Sequence, residues 1–552
     1  MLQKKLSFLS LVFLLFFTVG CSNISPVEEG EGIKISGTIT YDRVPVKEGN
    51  YGLISLDYNN IQRVTGKNLY IKVVDKNGLL LYTTSSNNRG EYTVYVPENT
   101  PVKIRVYARM YKKEAWDVSV VDNTNMKATY VMEGSLIDSG TTSSIRNLHA
   151  SSGWDGEAYS GARNAAPFAI LDSINTVMQK VIKADSNLIF PQLTVNWSVN
   201  NVAVGGDRSI GQIVTSNYDG ENNLWILGDA NSDTDEYDDH IIIHEWGHFF
   251  EDKFSRSDSI GGPHSSGDSL DIRVAFGEGW GNALSAIATD NPIYFDTAGY
   301  GQGSGWSMNI ESAQHENPGW FSEASVQRIL YDLYDDNQDG NDNLSLGFKP
   351  IFEAMVSKER NTPAFTSIFS FIHALKSENP SKSYEIDQVV ASEQIASILD
   401  EYGTYRSNLA GGMYTTPIYR DLKVGKQITQ CNQNQYGVYN KLGNRTFIKV
   451  SIDRTGFYIF DAQPYGGTYG DPDIVIYKAE YPVKSMGMSP LEGTNSDSLA
   501  INLTSGKYLV EVYDASFNNS CFIVKLNKES GAYKPVMSKG QIQRKPLRMP
   551  QY

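Results

Sequence analysis

Short runs in which apolar and polar residues alternate fill the chain from position 33 to position 134. This alternation is the period of a half-buried β-strand. The clearest runs cover residues 35–41, 69–74, 90–97 and 102–107. Turns that contain Asn and Gly separate the runs. The pattern therefore predicts a small antiparallel β-sandwich over residues 33–134.

The spacing changes in the middle of the chain, where apolar residues recur every three or four positions. That spacing is the period of an amphipathic α-helix. It predicts helices over 167–182, 239–254, 276–289, 322–334 and 365–376. Two predicted β-strands, 193–198 and 223–227, lie between the first helix and the second. A few strands followed by several helices indicate an α+β unit, which we place at residues 135–415.

Strand-like alternation returns beyond residue 416. The runs that show it cover residues 446–452, 456–460, 473–477, 498–503 and 506–513. They predict a second antiparallel β-sandwich over residues 416–527. Residues 528–552 carry several Lys and Arg and no regular pattern, so we expect a basic tail. The expected fold is multidomain, with a central α+β unit between two antiparallel β-sandwiches.

The N-terminus has the layout of an export signal. Two lysines precede an apolar run over residues 6–19, and that run ends at Gly20 and Cys21. A short apolar segment after a basic start is typical of a secretory signal peptide. A Cys at the end of such a run resembles the bacterial lipoprotein signal. The resemblance implies a signal peptide over 1–21, a lipid on Cys21 and a tether over 22–32 that holds the exported protein at the cell envelope. An ordinary cleaved signal that happens to contain Cys is the alternative.

The chain is acidic, with 48 Lys and Arg residues, 63 Asp and Glu residues and a formal net charge of −15. This balance argues against a nucleic-acid partner. Cys431 and Cys521 both lie in the predicted second sandwich. In an exported protein a disulfide between them is plausible, and two buried free thiols are the alternative.

The strongest chemical signal is the segment His244-Glu-Trp-Gly-His248, which lies within the predicted helix 239–254. Residues four positions apart share one face of a helix, so both imidazoles can bind a single Zn²⁺. Glu245 then lies beside the water that such an ion holds. This arrangement is typical of a metallohydrolase.

A zinc ion held by two histidines needs a third protein ligand, and the sequence narrows the classes of zinc peptidase that could supply it. A metzincin has Gly at position 251 and His at position 254, where this chain has Glu and Phe. A gluzincin has a Glu on a second helix, and Glu278 follows His248 by thirty residues in an apolar helical stretch. A carboxylate in such surroundings needs a cation or strong donors to remain ionised. Asn282 lies one turn further along the same helix face.

These two motifs, His-Glu-Trp-Gly-His and Gly-Glu-Gly-Trp-Gly-Asn, resemble the thermolysin-like gluzincin peptidases, and the second is most similar to the fungalysin branch. The resemblance implies a thermolysin-like central unit in which His244, His248 and Glu278 hold zinc and Glu245 is the base. In this clan, the residue four positions after the Glu ligand hydrogen-bonds a ligand histidine. Asn282 takes the place that an acid has in the family.

The same resemblance implies a His or Tyr near the next helix that stabilises the oxyanion of the reaction. This chain offers His315 and Tyr331 there, and we favour His315. His264 we assign to a loop that could rim the cleft. Two acidic loops, 229–238 and 335–341, are candidate Ca²⁺ sites or plain solvated turns, and Leu346 excludes a complete EF-hand in the second.

Both flanking units resemble modules of secreted peptidases. The turn at 73–78 and the strand that follows Gly90 resemble carboxypeptidase-regulatory, transthyretin-like domains. The segments 471–473 and 506–514 resemble pre-peptidase C-terminal domains. The predicted function is a zinc-dependent endopeptidase that cleaves extracellular or periplasmic proteins or peptides. The alternative is a surface-anchored binding lipoprotein with a vestigial peptidase module, which the intact Glu245 disfavours.

Overall fold

The structure is a computed structural model, and it describes residues 31–49, 53–312, 315–337, 344–404, 415–481, 483–489, 493 and 496–529. The signal segment with Cys21, nearly all of the tether and nearly all of the basic tail lie outside these residues. Within the described ranges, no helix combines the length and the apolar character that a membrane span requires.

The N-terminal part consists of short strands that alternate buried and half-buried positions, because successive side chains of a strand point to opposite faces. These strands are β1 (Ile33–Arg43), β2 (Val46–Glu48), β3 (Ile54–Leu56), β4 (Gln62–Thr65), β5 (Leu69–Asp75), β6 (Leu80–Ser85), β7 (Glu91–Val96), β8 (Pro101–Lys112), β9 (Trp116–Asp122), β10 (Ala128–Thr129), β11 (Val131–Glu133), β12 (Ile137–Asp138), β13 (Ser144–Ile145) and β14 (Leu148–Ala150).

The central part combines helices with a few strands. Its helices are α1 (Ala166–Ala184), α2 (Asp239–Phe254), α3 (Ile272–Thr289), α4 (Glu323–Asp332), α5 (Phe348–Ala354), α6 (Ile368–Glu378) and α7 (Ser383–Ser392). Its strands are β15 (Leu193–Trp197), β16 (Asn217–Tyr218), β17 (Asn223–Ile226), β18 (Gly228–Asp229), β19 (Asp233–Thr234), β20 (Ile293–Asp296) and β21 (Trp306–Asn309).

One sheet runs through both parts. Its order is β16-β17-β15-β9-β8-β5-β6. Three short strands pair with members of this series: β10 pairs with β9, and β11 and β12 pair with β8. β9 pairs in parallel with β15, and β15 pairs in parallel with β17. The buried residues of the two parts also form one hydrophobic core. The boundary predicted between residues 134 and 135 thus lies between two parts that share one sheet and one core.

The C-terminal part is a two-sheet sandwich, as the alternation predicts. Its strands are β22 (Tyr419–Leu422), β23 (Lys426–Cys431), β24 (Arg445–Ile452), β25 (Gly456–Tyr465), β26 (Pro472–Lys478), β27 (Ser485–Met488), β28 (Asp497–Leu503), β29 (Gly506–Asp514) and β30 (Cys521–Lys528). One sheet has the order β22-β24-β29-β26-β27 and the other β23-β30-β25-β28. A separate apolar core fills the sandwich. Cys431 and Cys521 lie opposite each other on β23 and β30 and form a disulfide.

Candidate metal centre

The site begins with the way α2 and α3 cross. A Cβ atom on Gly247 of α2 would lie 3.1 Å from the Cα of Gly281 on α3, so the two backbones approach closely here because Gly247 lacks a side chain. On α2, Trp246, Phe249 and Phe250 are fully buried on the sides that face away from the site. Burial of these rings fixes the rotation of α2 and turns its two histidines toward α3.

Three of the predicted site residues meet at this crossing. The Nε2 atoms of His244 and His248 are 3.1 Å apart, and each lies 3.3 Å from Oε2 of Glu278. All three side chains are buried. The sequence motif therefore brings together two imidazole nitrogens and one carboxylate oxygen that point to a common centre.

The spacing of these donors fits a zinc ion. Zinc bonds to histidine nitrogen and carboxylate oxygen are about 2.0–2.1 Å long and usually tetrahedral, so two ligand atoms are separated by about 3.3–3.4 Å. The observed separations of 3.1–3.3 Å are close to this value. A mixed nitrogen and oxygen set of three also leaves one tetrahedral position open.

The orientation of His244 is fixed by a chain of two amides. Nδ2 of Asn282 donates to Oε1 of Gln327 at 2.8 Å, which turns the Asn282 oxygen toward His244. That oxygen accepts a hydrogen bond from Nδ1 of His244 at 2.8 Å. With its proton on Nδ1, His244 keeps the lone pair of Nε2 free for a metal. Gln327 on α4 is a contributor that the sequence analysis did not identify.

Glu245 lies on the wall of the same cavity. Its Oε2 accepts a hydrogen bond from the backbone N–H of Tyr218 at 2.8 Å. Burial raises the pKa of the Glu245 carboxyl, and the adjacent histidines lower it only in part. Tyr218 belongs to β16, the edge strand of the long sheet, so this edge lies directly beside the candidate base.

His264 also reaches this centre, on the loop between α2 and α3. Its Nε2 lies 3.3 Å from Oε2 of Glu278, and its Nδ1 lies 2.7 Å from Oε2 of Glu323 at the start of α4. Burial disfavours the charged form of His264, but the charges of Glu278 and Glu323 outweigh it and raise the pKa to about 10. The loop therefore rims the cleft, and its histidine points into it. Glu323 was not predicted, because a Glu in the first turn of a helix is ordinary.

His315 lies elsewhere. Its Nε2 is 2.8 Å from Oε2 of Glu393, a carboxylate that also binds Arg328 and Ser325. Neither His315 nor the alternative Tyr331 lines the cavity that contains the three convergent donors. The prediction that His315 stabilises the oxyanion therefore does not fit its placement. Proximity to α4 in sequence suggested this role, but a carboxylate distant in the chain holds the imidazole instead.

The cavity above the centre has a volume of about 740 Å³. One wall is formed by Asn217 of the edge strand β16 and by residues that precede this strand, including Val214. Tyr294 and Trp306 of the β20–β21 hairpin form part of another wall, and their rings stack with centroids 5.7 Å apart. Carboxylates, imidazoles and hydroxyl groups line this cleft together with aromatic and aliphatic side chains.

An acidic cluster borders the cleft. Oxygen atoms of Asp233, Asp235 and Asp296 lie within 4.8 Å of one another, and burial raises the pKa of all three carboxyls. Two of these residues belong to the predicted Ca²⁺ loop 229–238. The second predicted loop, 335–341, lies partly outside the described residues. Calcium binding stays a prediction for both loops.

One protein family matches the central part of the chain. Residues 187–384 match a family described as the mycolysin C-terminal domain, which is associated with peptidases. The matched range contains His244, His248, Glu278 and His264, and it covers less than half of the chain. A search of curated proteins found no match.

Three solved structures illustrate the structural comparison. The pre-peptidase C-terminal domain of collagenase from Bacillus anthracis aligns with 20% of this chain and 93% of its own, at 9% identity and a TM-score of 0.17. The Yersinia pseudotuberculosis-derived mitogen aligns with 22% of this chain and 97% of its own, at 9% identity and a TM-score of 0.15. The periplasmic inhibitor of g-type lysozyme from Aeromonas hydrophila aligns with 20% of this chain and 98% of its own, at 12% identity and a TM-score of 0.13.

Proposed function

We propose that this chain is a zinc-dependent endopeptidase with a thermolysin-like central unit. The observation that carries the proposal is the convergence of His244, His248 and Glu278 at tetrahedral spacing, with the carboxylate of Glu245 on the wall of the same open cavity. The match of residues 187–384 to a peptidase-associated family supports it.

His244, His248 and Glu278 would hold the ion. When bound there, zinc supplies Lewis-acid polarisation of a carbonyl group and lowers the pKa of water. Asn282 keeps His244 in the tautomer that leaves Nε2 available. Two neutral imidazoles and one carboxylate leave a net positive centre, which favours attack on a carbonyl carbon.

Glu245 is the base in this proposal. Its half-buried carboxyl has a raised pKa, so it accepts a proton from the attacking water more readily than an exposed Glu does. The same carboxyl then returns the proton to the leaving amine nitrogen. The hydrogen bond from the Tyr218 N–H holds Oε2 in place and leaves Oε1 for the proton.

His264 takes the role that the sequence analysis gave to His315. Its imidazole lies at the rim of the cavity beside Glu278, and Glu323 holds its Nδ1. An Nε2–H directed into the cleft can donate to the substrate carbonyl oxygen as negative charge develops there. The substrate backbone would lie along β16, since an extended peptide can add to an exposed sheet edge.

Cleavage of casein or gelatin by the purified protein, together with its zinc content by mass spectrometry, tests the proposal. We expect Glu245→Gln to retain zinc and to lose activity by at least a factor of about 100, because general-base catalysis contributes 10²–10⁴-fold. Glu251→Gln is the matched control, because it changes a second Glu of α2, which is fully buried and does not line the cavity. Zinc-free wild-type protein without cleavage activity would instead favour the alternative, a binding lipoprotein.

The proposed location is the bacterial cell envelope, through a lipid on Cys21. This part of the proposal rests on the N-terminal sequence alone. Metabolic labelling with a palmitate analogue tests it, and we expect label in the wild type and none in Cys21→Ala. A wild-type protein without label would leave an ordinary cleaved signal as the explanation.

A further inference from the structure

The loop that carries His264 has little regular structure of its own. It connects the end of α2 at Phe254 to the start of α3 at Ile272 and contains neither helix nor extended strand. Gly262 adopts a φ of +102°, and a Cβ atom there would lie 2.7 Å from the ring of Tyr439. Tyr439 belongs to the C-terminal sandwich, so the loop packs directly against that unit.

Three consecutive residues of the sandwich donate hydrogen bonds to this loop. They lie in the connection between β23 and β24 and all bind backbone carbonyls. The bonds run from Tyr439 Oη to Ile260 O at 3.1 Å, from Asn440 Nδ2 to Gly261 O at 3.0 Å and to Pro263 O at 3.2 Å, and from Lys441 Nζ to Pro263 O at 2.5 Å.

The same connection also holds the other end of the loop. Lys441 Nζ lies 3.2 Å from a carboxylate oxygen of Asp268, and the backbone N–H of Leu442 donates to the carbonyl of Ser269. The backbone carbonyl of Asn440 accepts from the N–H of Asp271, the residue that caps α3. Asn440 therefore forms hydrogen bonds with residues that precede His264 in the chain and with one that follows it.

We propose that Asn440 is a positioning residue for His264 and that the C-terminal sandwich completes the candidate active site. Asn440 is 1% exposed, and its single amide group binds the carbonyls one and three residues before His264. Loss of the amide leaves both carbonyls without this donor and frees the segment that aims the imidazole. This inference rests on the proposed function for its catalytic consequence, but its structural consequence can be measured without activity.

The test uses the full chain with Asn440→Ala and Asn440→Asp. The Asp variant keeps the shape of the side chain and removes the amide donor. Asn432→Ala is the matched control, because Asn432 is equally buried and its Nδ2 also donates to two carbonyls, those of Asn444 and Val512, both within the sandwich. The measurements are hydrogen exchange of residues 257–268, zinc content, and kcat and KM on a peptide substrate.

Both Asn440 variants should show faster hydrogen exchange in residues 257–268 and should retain zinc. Their kcat should fall by about 10- to 100-fold, since displacement of a catalytic group by about 1 Å costs on this order. The Asn432 variant should show neither change. If the wild type is not a peptidase, the exchange result alone decides the positioning role. Unchanged exchange in both Asn440 variants, or unchanged kcat in variants of an active enzyme, would overturn the proposal.

Discussion

Replacement of Gly281 by Ala should weaken zinc binding while the fold stays intact. A Cβ atom at this position would lie 2.8 Å from Nδ1, 2.9 Å from Cε1 and 3.0 Å from Cγ of the His244 ring. Ordinary contacts of a methyl group begin near 3.4 Å, so the ring must move by about 0.6 Å. Metal sites tolerate about 0.2 Å in ligand distance. The displacement therefore exceeds what the centre can accept.

The expected magnitude follows from comparable disturbances of ligand orientation. Loss of a group that orients a ligand histidine typically costs 10- to 100-fold in metal affinity, which corresponds to about 1.4–2.7 kcal/mol. The stability of the helix itself should increase, since Ala is favoured over Gly by about 1 kcal/mol in a helix interior. Zinc affinity and helix stability should thus change in opposite directions.

Gly277→Ala is the matched control on the same helix. Its Cβ atom would lie 3.4 Å from Oε2 of Glu251, an ordinary contact, so it tests the helix effect without touching His244. Zinc affinity by competition with a chromophoric chelator and thermal unfolding of the zinc-free protein are the two assays. Wild-type zinc affinity in Gly281→Ala would refute the reasoning, as would an equal loss of affinity in Gly277→Ala.

Two further predictions concern stability. Burial favours the neutral form of Glu511, but the charges of Arg273 and Arg445 outweigh it and lower its pKa to about 2 from 4.5. Because the folded-state pKa is depressed, this stabilisation is present above pH 4.5 and is lost as the pH falls toward 2. Glu511→Gln should lower the free energy of unfolding by an amount on the order of 3 kcal/mol at pH 7. The difference between this variant and the wild type, measured by urea unfolding, should narrow as the pH falls from 4.5 toward 2. A difference that does not change with pH would contradict this prediction. Replacement of Cys431 and Cys521 by Ser opens a link between residues 90 positions apart and should cost about 2–5 kcal/mol in the same assay. An unchanged unfolding midpoint would argue against it.

The parts of the site that the sequence predicts are those that depend on one helix. The observed α2 has the predicted bounds, and its two histidines share a face because residues four apart always do. Glu278 and Asn282 follow the same rule on α3. Helix periodicity is a local property, so a single sequence is sufficient to predict it.

The parts that were missed depend on contacts between distant segments. His264 and Glu323 are 59 positions apart and meet through a loop without any period. His315 is held by Glu393, which lies 78 positions further along the chain. A parallel pair of strands such as β9 and β15 needs a long connection, and nothing in either strand indicates the partner. The alternation of apolar and polar residues predicts where strands lie, but it does not predict which strands pair with each other.

The two helices that carry the metal ligands are both fixed at their first turns by the flanking β-structures. Asp239, the first residue of α2, forms an ion pair with Arg43 of β1 at 2.5 Å. Arg273, the second residue of α3, is 1% exposed and binds Glu511 of β29. A helix held at its first turn by an ion pair is restrained in rotation, and rotation decides whether its ligands face the partner helix. The Arg43–Asp239 pair is partly exposed, whereas Arg273 and Glu511 are both 1% exposed, and loss of one partner from a buried pair of the second kind costs about 3–5 kcal/mol. The central residues 135–415 therefore depend on both flanking parts for the alignment of His244 and His248 with Glu278.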